Sequence, residues 1–494
     1  METLNTSIPK RKKKELTSGL LIATVIPSLG SLQLGYIYWV VLNPETVSHI
    51  IANITEETER MDIRIEETLS GRMAFNALVF PIGGIIGSLM LGTLVDSCGR
   101  RRSLMLNNAA AAVACGLMGA SDAGKFHDFG IFARFLVGIS SGLFSTMIPL
   151  YVGELAPVSM RGAFTMMSIL FFTVGLLLAQ AISSPNILGN KKRLPVMLGL
   201  TGIVAFFNIP LLLLCPESPR YLFIQMKNEA KARKALRMLR NKVDMENEIE
   251  ELRKEEKYEI QEKGMTILSL LKSHSLRRQV ITVVILLGGQ QFSGIIGGYF
   301  YAEKIYRSLL SKESHIFYMN LCVTCWLLFI ASIMMSVIDS VGRRFLLLLG
   351  FLICSIACVL LTLTLELQPM QPWMIYLSSV LVIAMITGYM LGPAIVTYVV
   401  TLEIFLQSSR ATAFTLGGIV NWVTRCFAVG IFLKLEPLTG PYSLLILWPL
   451  CMVTFIYTSA MVPETRGMTF LEIRKSMDLQ AKEDKQQIDR NPDS

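Results

Sequence analysis

Apolar residues in this chain are gathered into long runs separated by short charged stretches. A helix crossing hydrocarbon needs about 20 predominantly apolar residues. Runs of that order recur at 16–42, 73–95, 103–121, 135–153, 162–182, 194–215, 279–302, 316–338, 345–365, 373–402, 411–433 and 437–462. These are read as spans 1 to 12 of an all-α membrane protein. The seventh run holds no charge, yet "GGQQFSGIIGGYF" at 288–300 places two adjacent glutamines in it. Their amides need hydrogen-bond partners that lipid cannot supply.

Composition agrees: 52% of the 494 residues are hydrophobic and 17% charged, with a positive mean hydropathy, which argues against a soluble enzyme. The first run follows "RKKKE" but is too long for a signal-peptide h-region and lacks a small-residue cleavage site, so it is expected to be retained. Lys and Arg in short flanks favour the cytoplasm. "KRKKK" before span 1, "GRRR" between spans 2 and 3, the basic central loop and "GRR" between spans 8 and 9 put both termini inside, while "KKR" at 191–193 breaks the rule locally. The acid-rich segment 43–72 falls outside and carries Asn53-Ile54-Thr55, an N-glycosylation acceptor. The formal charge of +9 is accounted for by cytoplasmic anchoring, with no pattern pointing to nucleic acid. The nine cysteines lie in or beside the spans; the Cys322/Cys325 pair has no second ligand pair, and all nine read as small buried hydrophobes. No metal, cofactor or catalytic constellation is implied.

Internal similarity changes the picture most. "DSCGRRRSL" at 96 returns as "DSVGRRFLL" at 339, "ELAPVSMR" at 154 as "EIFLQSSR" at 403, and "PESPR" at 216 as "PETRG" at 463, at offsets of 243, 249 and 247. Near-constant offsets in one order indicate two homologous halves of six spans. The expected organisation is a tail at 1–15, a first bundle at 16–215, a charged helical linker at 216–278, a second bundle at 279–463 and a tail at 464–494. The linker is read as a solvated charged face with no chemistry of its own. Paired bundles suit a transporter that rocks about a site at mid-membrane. The repeated blocks lie at the cytoplasmic ends of spans, where Arg100, Arg101, Arg343 and Arg344 could pair with Glu154 and Glu403 of neighbouring helices. With Asp96, Arg161, Asp339 and Arg410 they form a candidate inner gate, since Arg–carboxylate pairs are directional and can be broken and remade.

"GTLVDSCGRR" and its echo "SVIDSVGRR", with "PESPRYL", "GGQQFSG" and "VPETRG", resemble the sugar porter branch of the major facilitator superfamily. "LYVGELAPVSMRGAF" and "GPAIVTYVVTLEIFLQSSR" resemble most closely the fructose-type class of facilitative hexose transporters. The resemblance covers roughly 16–475 and implies a plasma-membrane uniporter, expected as a monomer, that moves a hexose by alternating access. It also implies a central site in which Gln290 and Gln291 of span 7 meet sugar hydroxyls, with Gly298, Tyr299, Phe300, Tyr389, Asn421, Trp422, Ile169, Gln33 and Tyr398 around them. Gly294, Gly297 and Gly298 are candidates for letting span 7 bend, or for close packing, and "GPAIVTY" at 392–398 for a break in span 10.

Several positions depart from the family. Leu34, Ile37, Ile169, Ile296 and Leu327 stand where polar side chains are usual, and Tyr389 and Asn421 where fructose-type members carry His. Each sugar hydroxyl buried without a partner costs about 1–3 kcal/mol, so weak hexose binding or a less hydroxylated cargo is expected. Arg425, at the middle of span 11, is a charge at expensive depth; it suits either an anionic substrate or bonds to carbonyls across the bundle. No Asp or Glu lies mid-span and the span 1 position is Ile37, which favours uniport over proton coupling. Two rivals remain, a carrier of a non-sugar organic anion such as urate and a transport-deficient, sensor-like homologue. The latter would want a longer cytoplasmic tail than follows "FLEIRK".

Overall fold

The computed structural model describes residues 16–42, 65–123, 127–184, 187–188, 193–240, 242–259, 265–310 and 313–477; Asn53 lies outside them. Among these, twelve helices are long and apolar enough to cross a membrane, and they follow the predicted spans. Spans 1 to 6 are Ser18–Leu42, Ile65–Cys98, Arg100–Ala123, His127–Leu155, Arg161–Ile182 and Leu194–Leu212. Span 7 is two helices, Arg277–Phe292 and Ile295–Leu309, and span 10 is Met374–Leu391 followed by Val396–Ile404. Spans 8, 9, 11 and 12 are Glu313–Val341, Arg343–Leu367, Gln407–Lys434 and Ser443–Met461.

Packing repeats with the sequence. In the first half span 1 lies along 5, 2 along 4, and 3 along both 4 and 6; in the second, 7 lies along 11, 8 along 10, and 9 along both 10 and 12. Across the halves span 2 packs on 11 and span 5 on 8, the same contact taken twice. Glycines permit the close approaches. A Cβ on Gly35 would stand 1.9 Å from the Phe172 carbonyl oxygen.

The two broken spans have separate causes. Gly294 has φ +86°, a left-handed conformation that only glycine adopts without strain, and it ends one helix of span 7 and starts the next. In span 10 the break follows Pro393, which has no N–H and cannot continue the ladder; the Ala394 N–H reaches back to the Tyr389 carbonyl instead. Gly297 and Gly298 do not bend the span. They face Phe432 and Met385, whose atoms would lie 2.3 and 2.5 Å from an added Cβ, so both are packing positions.

The linker contains a π-helical turn at Tyr221–Gln225 and helices Glu229–Leu239, Lys242–Glu259 and Ile267–Lys272. Its expected solvated character holds for part of it only. Arg220, Arg240, Glu248, Glu255 and Glu259 are all buried, because the linker packs against the ends of the spans. Arg240 donates to the Leu155 carbonyl at 2.7 Å and to Glu248 at 2.9 Å, and Thr17 donates to the Leu239 carbonyl at 2.8 Å.

Candidate functional site

The amide of Gln290 sits where the two broken spans meet. Its Nε2 donates to the Ala394 carbonyl at 2.9 Å and to the Tyr389 hydroxyl at 3.2 Å, while its Oε1 accepts from Asn421 Nδ2 at 2.6 Å. Asn421 also donates to the Leu287 carbonyl at 3.3 Å. A backbone carbonyl left free at the break would be costly in hydrocarbon, and Gln290 satisfies that of Ala394. The adjacent glutamine differs. Gln291 is buried, but its Oε1 has no partner. One amide therefore holds the site together while the other keeps an acceptor in reserve.

Tyr299 is 47% exposed and outside the packed core. Trp422 enters from span 11 into the first half. Its indole rests on Gly84, where a Cβ would come within 2.4 Å of the ring, and lies edge-on to Phe80 at 5.7 Å. The indole Nε1 is buried without a partner. Arg425 lies one helical turn beyond Asn421, with its guanidinium 4.9 Å from the Tyr38 ring and 5.5 Å from the Trp422 ring. A guanidinium at mid-span costs about 2.5–3.5 kcal/mol on the insertion scale. Cation–π contacts return about 0.5–2 kcal/mol each, so the rings offset much of that cost without discharging the group.

The other predicted residues are placed apart from this cluster. Gln33 is buried against Cys115 of span 3. Phe300 stacks near Phe432 at 6.0 Å, beside Lys304, at the end of span 7 remote from the linker. Tyr398 packs on Phe414 at 6.3 Å in the linker-side half of span 10. Ile169 is half-buried, packed against one apolar cluster drawn from both halves and another drawn from the second half. Ile37 and Leu327 are buried in apolar clusters, and Ile296 packs against one, so these apolar residues fit where they stand. Tyr38 was not singled out by its residue type. Its role appears only once span 11 brings Arg425 over its ring.

At the linker side the repeated motifs form a double latch. Arg100 holds Glu154 with Nε 3.0 Å from Oε2, and Arg343 holds Glu403 at 3.1 Å and Asp339 at 2.8 Å. Each carboxylate also faces an arginine of the other half, Glu154 with Arg410 at 3.6 Å and Glu403 with Arg161 at 3.7 Å. Gln407 adds a bond to Glu154 at 3.1 Å, and the Gly162 and Ala163 amides donate to Asp339 at 3.1 and 2.9 Å. Arg101 and Arg344 take other partners: Arg101 donates to the Cys215 carbonyl at 3.0 Å, and Arg344 donates to the Ser459 carbonyl. Asp96 accepts from Gln225 at 3.3 Å.

Glu217 and Glu464, from the "PES" and "PET" repeats, cap the helices begun by Arg100 and Arg343, accepting from their amides at 2.8 and 2.9 Å. Three further groups complete the latch. Glu255 of the linker faces Arg410 at 3.8 Å and also accepts from Arg220. Glu259 accepts from the Ser408 amide at the start of span 11, at 3.1 Å. The Phe470 ring lies within 3.8, 4.0 and 4.5 Å of Arg161, Arg410 and Arg220. Burial and the neighbouring Glu255 push the Glu259 carboxyl up to about 7.

Residues 23–476 match the family model described as "Sugar (and other) transporter". The chain belongs to the sugar transporter family. Among curated relatives of this transporter, "Solute carrier family 2, facilitated glucose transporter member 5" of Equus caballus is 40% identical over 467 residues, 94% of this chain and 93% of that one. The protein of the same description from Homo sapiens is 40% identical over 466 residues, 94% and 93% of the two chains. Member 7 from Homo sapiens is 38% identical over 474 residues, 95% and 91%. The transporter's fold matches the proton:xylose symporter XylE bound to 6-bromo-6-deoxy-D-glucose with a TM-score of 0.80, 21% identity and coverage of 94% and 100%. It is a multi-pass membrane protein of the major facilitator fold.

Proposed function

We propose that this transporter is a facilitative carrier of a hexose, fructose- or glucose-like, working by alternating access. The observation that carries the reading is the Gln290, Tyr389 and Asn421 network at the junction of the two broken spans, with the Gln291 acceptor left over beside it. Amides donate and accept at once, which suits a ring of hydroxyls, and a site built on them discriminates against groups that cannot pair. The relatives described as facilitated glucose transporters support the same assignment. A hydroxyl delivered to Gln291 offers its carbonyl the missing bond. Closure of the outer halves about Gly294 and the Pro393 break then brings the second-half helices over the cargo.

The latch is the other half of the cycle. With Glu154–Arg410 and Glu403–Arg161 formed, the passage is shut on the linker side, which we assign to the cytoplasm together with both termini. Opening inward requires both crossing pairs to part. The carboxylates of the spans sit near their ends, so no proton-coupling group is assigned and transport is downhill. We place the carrier in the plasma membrane as a monomer. Purified protein in liposomes should show saturable uptake of labelled fructose or glucose without a proton gradient. Absence of uptake for both sugars would overturn the reading.

A further inference from the structure

Arg425 is a cation with no carboxylate. Among the described residues it forms no ion pair and no hydrogen bond, and its Nε is buried unpartnered. Its surroundings are aromatic: the guanidinium carbon lies 4.9 Å from the Tyr38 ring centroid and 5.5 Å from that of Trp422. Asn421 and Arg425 are four residues apart on one helix, hence on one face and about 6 Å apart along the axis. That is the reach from a ring hydroxyl of a pyranose to its exocyclic carboxylate. A planar guanidinium binds carboxylate through two parallel bonds, while the unpartnered Gln291 acceptor takes a hydroxyl.

We propose that Arg425, one turn from Asn421 on the same helix face and without a carboxylate partner among the described residues, is an anion subsite that lets this carrier take monoanionic hexuronates alongside neutral hexoses. The inference rests on the hexose-carrier reading and extends the same site. The cation-facing rings of Tyr38 and Trp422 hold the guanidinium plane in place. The cargo carries its negative charge across the membrane, so its movement responds to potential whereas that of a hexose does not.

The test uses the full-length protein in liposomes with labelled glucuronate and labelled fructose. Glucuronate uptake should be saturable and several-fold faster with the lumen positive. Arg425→Gln should lower the glucuronate-to-fructose uptake ratio at least tenfold, and Arg425→Lys, which keeps the charge but loses the fork, should fall between. If fructose enters but glucuronate neither enters nor competes, the subsite is overturned and the hexose reading stands. If neither sugar enters, the hexose reading itself fails and the subsite falls with it. An unchanged ratio in Arg425→Gln also overturns the subsite. Should that variant not reach the bilayer, a wild-type ratio in Arg425→Lys together with potential-independent glucuronate uptake does the same.

Discussion

Neutralising one latch carboxylate should open the linker side of the transporter. Glu403 serves Arg343 at 3.1 Å, Arg161 at 3.7 Å and the Thr465 hydroxyl at 2.5 Å, and its side chain is 1% exposed. In Glu403→Gln, Arg343 retains Asp339 at 2.8 Å, but Arg161 keeps no carboxylate and only the Phe470 ring at 3.8 Å. Removing one partner of a buried pair costs about 3–5 kcal/mol because the other charge is stranded. The Phe470 contact and the surviving Asp339 pair place this case near about 3 kcal/mol. The cost falls on the latched state, since opening lets Arg161 reach water. At about 1.4 kcal/mol per factor of ten, the population open on the linker side should rise about 100-fold.

Thr401, fully buried on the linker-side half of span 10, reports on this. In Thr401→Cys, alkylation by a membrane-permeant maleimide, quantified on the peptide containing position 401, should accelerate about 100-fold when Glu403→Gln is added. A change below threefold would refute the reasoning. Adding Arg161→Met to Glu403→Gln removes the stranded charge, and the double variant should be closer to the parent than Glu403→Gln alone.

The two glutamines should separate by assay. Gln290→Leu leaves the Ala394 carbonyl and Asn421 short of partners and should lower stability by about 2 kcal/mol, read as a drop in Tm in detergent. Gln291→Leu breaks no bond of its Oε1; Tm should hold within a few degrees while hexose uptake falls at least tenfold. Gly294→Ala meets nothing nearer than the Met385 sulfur at 3.4 Å, so its cost is the left-handed backbone alone, about 1–2 kcal/mol, seen as lower Tm and slower uptake. Docking of the linker should depend on pH through Glu259. Its docked carboxyl is raised to about 7, above its free value, so docking takes up a proton. The stabilisation is full below about 4.3 and is lost as pH rises through about 7. Limited proteolysis of the linker should therefore speed up from pH 6 to pH 8, and Glu259→Gln should flatten that dependence.

The fold was legible because lipid leaves few options: long apolar runs must be helices, and a chain that repeats its motifs must repeat its packing. The latch was half legible. "GRR" and the seven-residue Glu-to-Arg spacing pointed to Arg100, Glu154, Arg161 and their echoes, but both arginines of each "GRR" look alike in sequence. Only geometry sends Arg100 and Arg343 inward and turns Arg101 and Arg344 to carbonyls. The buried linker charges were illegible for a related reason. A charge run reads as solvated, and Glu255 and Arg220 become structural only when span ends from both halves close around them. In the centre, Gln290 was found from its residue type in an apolar run and Asn421 from the family resemblance, while Gln33 has the same chemistry and faces another helix.

The double glutamine then has a physical explanation that neither residue supplies alone. A carrier must break helices at mid-membrane to move, yet broken helices expose backbone groups that hydrocarbon punishes. Gln290 lies within a turn of Gly294 and repairs the Pro393 break from across the bundle, at the Ala394 carbonyl. That repair consumes its donor and ties it to Asn421, leaving little with which to recognise cargo. On the proposed reading, recognition passes to the neighbour whose acceptor is unspent, and the hinge and the site are coupled because they share adjacent residues. If sugar tightens the Gln291 side, span 7 moves as a unit about Gly294 and carries Gln290 with it. Filling of the site is thereby transmitted to span 10, whose linker-side half holds Glu403 of the latch.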